Sequence, residues 1–151
     1  MSQSLTQIYV HIIFSTKKRF PFLKDDEIRE EMFKYIAKIL IEKQSFPIIV
    51  NGVEDHIHIL CNFSKNIALS ELVATIKRNT SLWIKTKSSD YSRFYWQTGY
   101  AAFSVSESVK DVTINYISNQ VEHHKKRTFK EELIDFLQKY ALEFDEKYLW
   151  E

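Results

Sequence analysis

Two histidines one residue apart, His56 and His58 in the stretch VEDHIHILCNF (53–63), are the first feature of the chain that suggests chemistry. If this stretch is a strand, its side chains alternate. Both imidazoles and Leu60 then leave one face, and Ile57, Ile59 and Cys61 leave the other. Two neutral imidazoles that close together can share one divalent cation. Two donors leave a cation underprovided, which directs attention to a third polar group on a neighbouring element. Helical spacing supplies one. At 100° per residue, Val109, Val112, Tyr116, Gln120 and His123 form a narrow stripe, while Ile114, Ile117 and Val121 form a second one suited to anchor in a core. Tyr116 and Gln120, one turn apart, can act on the same object. A tyrosine hydroxyl with an ordinary pKa of about 10 is a poor nucleophile at neutral pH and needs a cation or base beside it. Taken singly, each feature has a plain structural reading, a histidine at a strand edge or a tyrosine at the boundary of an amphipathic helix. The combination is more specific.

The elements that must position these groups follow from the rest of the pattern. QIYVHIIFS (7–15) reads as a first strand ending in the basic cluster Lys17, Lys18 and Arg19. Asp25, Asp26 and Glu27 mark a helix N-terminus, and apolar periodicity extends the helix from about Asp26 to Lys43. FPIIVNGVEDHIHILCNF reads as a hairpin with two competing turns, Asn51-Gly52 or Glu54-Asp55. From Ala68 to Lys87 an apolar stripe of Leu69, Leu72, Val73, Ile76 and Trp83 predicts a second helix, with Lys77, Arg78 and Lys85 mostly off the stripe. FYWQTGYAAFSVS (94–106) reads as a fourth strand kinked at Gly99. Ser108 to Asp111 resembles a capping box and opens a third helix to about Lys126, and Leu133, Phe136, Leu137 and Tyr140 mark a short amphipathic segment after it. The order strand, helix, strand, strand, helix, strand predicts an α+β, ferredoxin-like (split βαβ) four-stranded antiparallel sheet, with helices on one face plus additional C-terminal helices. In such a sheet the other face stays open, and the histidine pair is expected there.

At 151 residues and 44% hydrophobic content the chain suits one domain, 1–151, with 128–151 as a C-terminal extension. A single cysteine leaves no disulfide framework, MSQSLTQ lacks a signal-peptide pattern, and no apolar run approaches the roughly 20 residues of a membrane span, so a cytoplasmic location is expected. Net charge is only +1, yet residues 71–130 hold ten Lys/Arg against five Asp/Glu while 131–151 hold seven acids against two lysines. The middle is basic and the tail acidic, which fits either a nucleic-acid surface or solvated helix faces.

EDHIHIL and YISNQ resemble the HUH single-tyrosine transposases of the insertion sequence 200/605 type, including those associated with repetitive extragenic palindromes (REP). The resemblance also takes in VHIIFSTKKRFP, IKRNTSLWI and FYWQTGYAAFSVS, so it spans nearly the whole chain up to Thr128. It implies that His56 and His58 are metal ligands, Gln120 the third ligand and Tyr116 the nucleophile. It implies Mg²⁺ or Mn²⁺ as the cofactor and single-stranded DNA with hairpins as the substrate, nicked and rejoined through a covalent 5′-phosphotyrosine. It further implies a homodimer in which the tyrosine helix can complete the site in trans, with no membrane and no nucleotide cofactor. DNA contacts would fall on Lys17, Lys18, Arg19, Lys77, Arg78 and Lys85. Tyr95, Trp96 and Tyr100 could stack on bases, although ordinary sheet packing suits them better. His11 is read as a supporting residue, His123 and His124 as a solvated helix end.

Two rivals share the fold. One is a domesticated, non-mobilising hairpin-binding relative, against which the presence of His56, His58, Tyr116 and Gln120 argues. The other is an RRM-like RNA binder, which usually carries aromatics where this strand carries histidines. Phosphoesterases of the two-histidine type need a second HxT/S motif, and none is found.

Overall fold

The computed structural model describes residues 2–150. Four strands, β1 (Tyr9–Ser15), β2 (Phe46–Gly52), β3 (His56–Asn62) and β4 (Ala101–Val105), form one antiparallel sheet in the order β2-β3-β1-β4. Helix α1 (Asp26–Glu42) connects β1 to β2, and α2 (Leu69–Lys85) connects β3 to β4, which gives the split βαβ topology. Beyond β4 come α3 (Lys110–Ser118), α4 (Gln120–His123), α5 (Phe129–Lys139) and α6 (Glu146–Leu149).

Local chemistry accounts for the boundaries. Asp25 caps α1 by accepting from the Ile28 amide at 3.1 Å, with Asp26 and Glu27 in its first turn. In the hairpin, Gly52 pairs with Ile57 and the Val53 amide donates to the His56 carbonyl at 3.1 Å, so Glu54-Asp55 is the turn and Asn51-Gly52 is strand. Gly52 has a different task. A Cβ there would come within 2.3 Å of the His56 carbonyl oxygen, so only glycine lets the strand pass this close to the histidine backbone.

Each sheet face has its own core. Val10, Ile12 and Phe14 of β1 and Ile57, Ile59 and Cys61 of β3 pack under α1 and α2, joined by Phe94 and Trp96. On the opposite face Tyr9, Leu60 and Val105 pack against Ile117 of α3, while Ile13 and Phe103 pack against Phe129, Leu133 and Leu137 of α5. The histidine face is therefore not open, as the strand pattern predicts. The C-terminal helices roof it, because the amphipathic stripe of α5 needs an apolar surface and the sheet supplies one.

Three further expectations change. The fourth strand spans five residues rather than 94–106: Trp96 makes only an isolated bridge to Thr16, and the 97–99 carbonyls bond to a lysine instead of a ladder. Ser108 does not cap the third helix. Its hydroxyl bonds that of Ser106, and a capping box lies instead at Thr128 and Glu131, opening α5. Finally, the helix expected to run to Lys126 breaks at Asn119, which rotates the next turn and leaves Val121 exposed rather than buried with Ile117.

Candidate active site

β3 presents His56 and His58 to the roofed face, and both are fully buried. Each imidazole is oriented from behind. His56 Nδ1 lies 2.7 Å from Asp55 Oδ1, so Nδ1–H donates to the carboxylate and Nε2 points inward. His58 Nδ1 lies 2.8 Å from His11 Nε2; in the tautomer that frees His58 Nε2, Nδ1–H donates to His11. The supporting role read for His11 matches this geometry. Such outer partners fix ring orientation at cation sites.

The helix break at Asn119 brings in the third group. Asn51 on β2, register partner of His58, donates from Nδ2 to the carbonyl of Ile117 at 2.8 Å and lies 3.4 Å from that of Ser118. It thus satisfies carbonyls that the end of α3 leaves free. The following turn places Gln120 in the interior, where Oε1 lies 3.3 Å from His56 Nε2. Tyr116, half-buried on α3, sits with its ring centroid 6.0 Å from that of His58 and stacks on His123 at 4.7 Å. A cleft of about 450 Å³ lined by His11, Val109, Val112, Tyr116, Phe136 and Tyr140 opens beside the phenol.

Two further groups enter from beyond the helix break. Glu132 of α5 is buried, and its Oε1 lies 2.9 Å from His58 Nε2 and 3.3 Å from both His56 Nε2 and His124 Nε2. Its other oxygen, Oε2, accepts from the Tyr116 hydroxyl and, at 3.3 Å, from Gln120 Nε2. His124 is largely buried rather than solvated. Its Nε2 has no aligned hydrogen-bond partner.

Charge follows from these contacts. Burial disfavours the His56 cation, but the hydrogen bonds to Asp55 and Glu132 outweigh it and raise the pKa to about 9. Burial dominates at His58, opposed only in part by Glu132, and lowers its pKa to about 4. For Glu132, burial would raise the pKa, but the neighbouring His124, His56 and His58 hold the carboxyl far below the usual range. Burial and then the Glu132 charge push the Tyr116 phenol well above its ordinary value.

The residues fit a divalent cation. One donor atom from each of His56, His58, His124 and Glu132 lies within 4.8 Å of the others, and the unpartnered buried Nε2 of His124 faces the group. Imidazole and carboxylate together suit a borderline or hard divalent ion.

The basic residues are dispersed. Lys17 and Lys85 flank the exposed ring of Tyr95, at 5.8 Å and 4.6 Å from its centroid. Lys18 and Arg19 both take left-handed backbone, φ 55° and 56°, a conformation that costs a side-chain-bearing residue roughly 1–2 kcal/mol. Thr16 holds this turn to the hairpin through the Asp55 carbonyl. Arg19 lies over Trp150, and Arg78 is exposed on α2. Lys77 is occupied: its ammonium donates to the carbonyls of Gln97 and Gly99 at 2.8 Å and 2.6 Å. Trp96 is core, its Nε1 donating to Thr80 at 2.9 Å, while Tyr95 and Tyr100 are exposed.

Comparison with known proteins follows the same lines. Among solved structures, a candidate transposase from Deinococcus radiodurans R1 superposes with a TM-score of 0.61 at 19% identity, covering 80% of this chain and 98% of that one. A REP-associated tyrosine transposase bound to a REP hairpin superposes with a TM-score of 0.61 at 14% identity, covering 82% of this chain and 74% of that one. At such identities the likeness establishes the fold. Comparison with curated proteins gives no match. The family model for IS200-like transposases matches residues 4–120, more than three-quarters of the chain and all of the HxH strand and the Tyr116–Gln120 turn, and the chain belongs to that family.

Proposed function

We propose that this chain is a metal-dependent single-stranded DNA transposase that nicks and rejoins DNA at hairpin-flanked sites, with Tyr116 as nucleophile and His56, His58 and Gln120 holding the cation. One observation carries the reading. The two oxygens of a single carboxylate, Glu132, touch the paired imidazoles on one side and the Tyr116 hydroxyl on the other. Phenol and donors therefore stand one small anion apart within one subunit, the separation that attack on a phosphate requires.

Bound Mg²⁺ or Mn²⁺ would supply Lewis-acid charge for the non-bridging oxygens of the phosphate and favour ionisation of the adjacent phenol. The protein does the rest. Asp55 and His11 keep the two Nε2 atoms aimed inward, Asn51 holds the helix break that aims Gln120, and stacking on His123 limits rotation of the Tyr116 ring. Attack forms the Oη–P bond and breaks the P–O3′ bond. The phenolic proton ends on the departing 3′-hydroxyl, so the step consumes neither water nor nucleotide. Because a phosphodiester is conserved in the link, another 3′-hydroxyl can reverse the reaction and join new ends.

Lys17, Lys18, Arg19, Arg78 and Lys85 are the proposed phosphate contacts, with Tyr95 as a stacking surface between Lys17 and Lys85. Lys77 serves the 97–99 loop. The hairpin-bound neighbour supports a hairpin substrate. The proposal includes a homodimer, although within one subunit Tyr116 is already linked to the histidines through Glu132.

The test is incubation with single-stranded hairpins drawn from the DNA flanking the gene, with Mn²⁺ or Mg²⁺, and a denaturing gel. A covalent protein–DNA adduct is expected from the wild type and from neither Tyr116→Phe nor His56→Ala. Adduct in the phenylalanine variant would overturn the assignment of the nucleophile.

A further inference from the structure

Glu132 and His124 lie beyond residue 120, where the family match ends, yet they sit among the proposed ligands. The first turn of α5 is fixed by the capping box: the Glu131 amide donates to Thr128 Oγ1 at 3.2 Å, and Glu131 Oε1 lies 3.3 Å from the Thr128 amide. The next residue is Glu132, flanked by buried Phe129 and Leu133, so apolar packing on both sides drives its carboxylate into the sheet. A buried carboxylate needs compensation, and here three imidazoles supply it. A single oxygen has two lone pairs and cannot accept well from three ring nitrogens, and His124 Nε2 is the one left unaligned. A cation satisfies all four donors at once.

The geometry points to a four-donor centre in the DNA-free protein, in which His124 and Glu132 are cation ligands alongside His56 and His58. The cation thereby fastens α5 across the sheet, and Glu132 occupies the place a substrate phosphate must take. The inference rests on the cation reading of His56 and His58 proposed above. Glu132 Oε2 contacts the Tyr116 hydroxyl and Gln120 while Oε1 faces the imidazoles, so the carboxylate stands between nucleophile and cation donors as the phosphate would. DNA entry is then an exchange of one anionic oxygen ligand for another. It requires the N-terminal turn of α5 to withdraw, which releases Gln120 from Glu132 and lets it take up the cation on that side.

The test uses the full chain without DNA. Pulsed EPR of the Mn²⁺-loaded protein counts coordinated imidazoles. Three are expected in the wild type and two in His124→Ala. Glu132→Gln, which preserves shape, should weaken Mn²⁺ binding about 10-fold or more, read by titration calorimetry. Mn²⁺ should slow amide exchange over residues 129–139 in the wild type and not in Glu132→Gln. Two imidazoles in the wild type, or unchanged affinity in Glu132→Gln with no Mn²⁺ protection of α5, overturns the inference; loss of binding in His56→Ala would then leave the two-histidine cation site standing. Wild-type affinity in both His56→Ala and His58→Ala would remove the cation site, and this inference with it.

Discussion

At the scale of single residues, the site is built from side chains that are poor choices for a core unless they act together. His56 and His58 are both fully buried yet shifted in opposite directions, to about 9 and about 4, because one has two carboxylate partners and the other chiefly desolvation. The stability of the cation-free protein should follow. Between pH 6.5 and about 9 the folded state holds a proton at His56 that the unfolded chain releases, so that contribution is lost as pH rises. Between pH 6.5 and about 4 the unfolded chain takes a proton at His58 that the folded state refuses, so stability falls as pH falls. Melting temperature in chelator is therefore expected to peak near pH 6.5, and a flat profile from pH 5 to 9 would contradict the assignment. That His56 pairs with His58 and Tyr116 with Gln120 is legible in the sequence because each pair is local, two residues apart on a strand or four along a helix. Glu132 was not, since an acid in an acidic tail reads as solvated. A trace was present all the same: Glu132 lies three residues after Phe129 and four before Phe136, inside the apolar stripe of its helix.

At the scale of elements, the departures from the sequence pattern are where backbone groups found partners the pattern does not encode. Asn51-Gly52 has the composition of a hairpin turn, yet Asn51 caps α3 and Gly52 allows the close pass beside His56. No local rule distinguishes these uses, because both partners are remote in sequence. Asn51→Ala should destabilise the fold by about 1 kcal/mol and lower the rate of adduct formation further than that loss explains, since the helix break aims Gln120. Denaturant titration and single-turnover cleavage on the same sample check both parts. Leu133→Ala, which empties a buried position between α5 and the sheet, should cost about 2–5 kcal/mol if α5 unfolds only with the rest of the domain. A value near zero would mean that α5 detaches independently. The sheet and its two crossover helices were legible from period alone, while the roof over the histidine face was not, because amphipathicity shows that a helix must dock and not where.

At the scale of the whole molecule, a net charge of +1 conceals an uneven surface. Lys17 and Lys85 converge on Tyr95 from two elements, a grouping suited to a single strand of DNA, whereas Lys77 is spent on backbone carbonyls. Single-strand affinity should accordingly fall with salt. Lys17→Ala or Lys85→Ala should each reduce the slope of log K against log salt by about 1, and Lys77→Met should leave the slope near wild type while lowering stability. Equal slopes in the lysine-to-alanine variants would move the DNA path elsewhere. Basic clusters are visible in sequence, but which lysines are free to meet a phosphate depends on loop carbonyls that only the fold brings near.

The same packing settles a practical matter. The chain's one thiol, Cys61, is sealed beneath α1 and α2, and burial raises its pKa to about 12, so it stays protonated and out of reach of alkylating reagents while the domain is folded. A fluorophore or spin label attached through a new surface cysteine on α5 would consequently report from one known position, with the natural sequence otherwise intact.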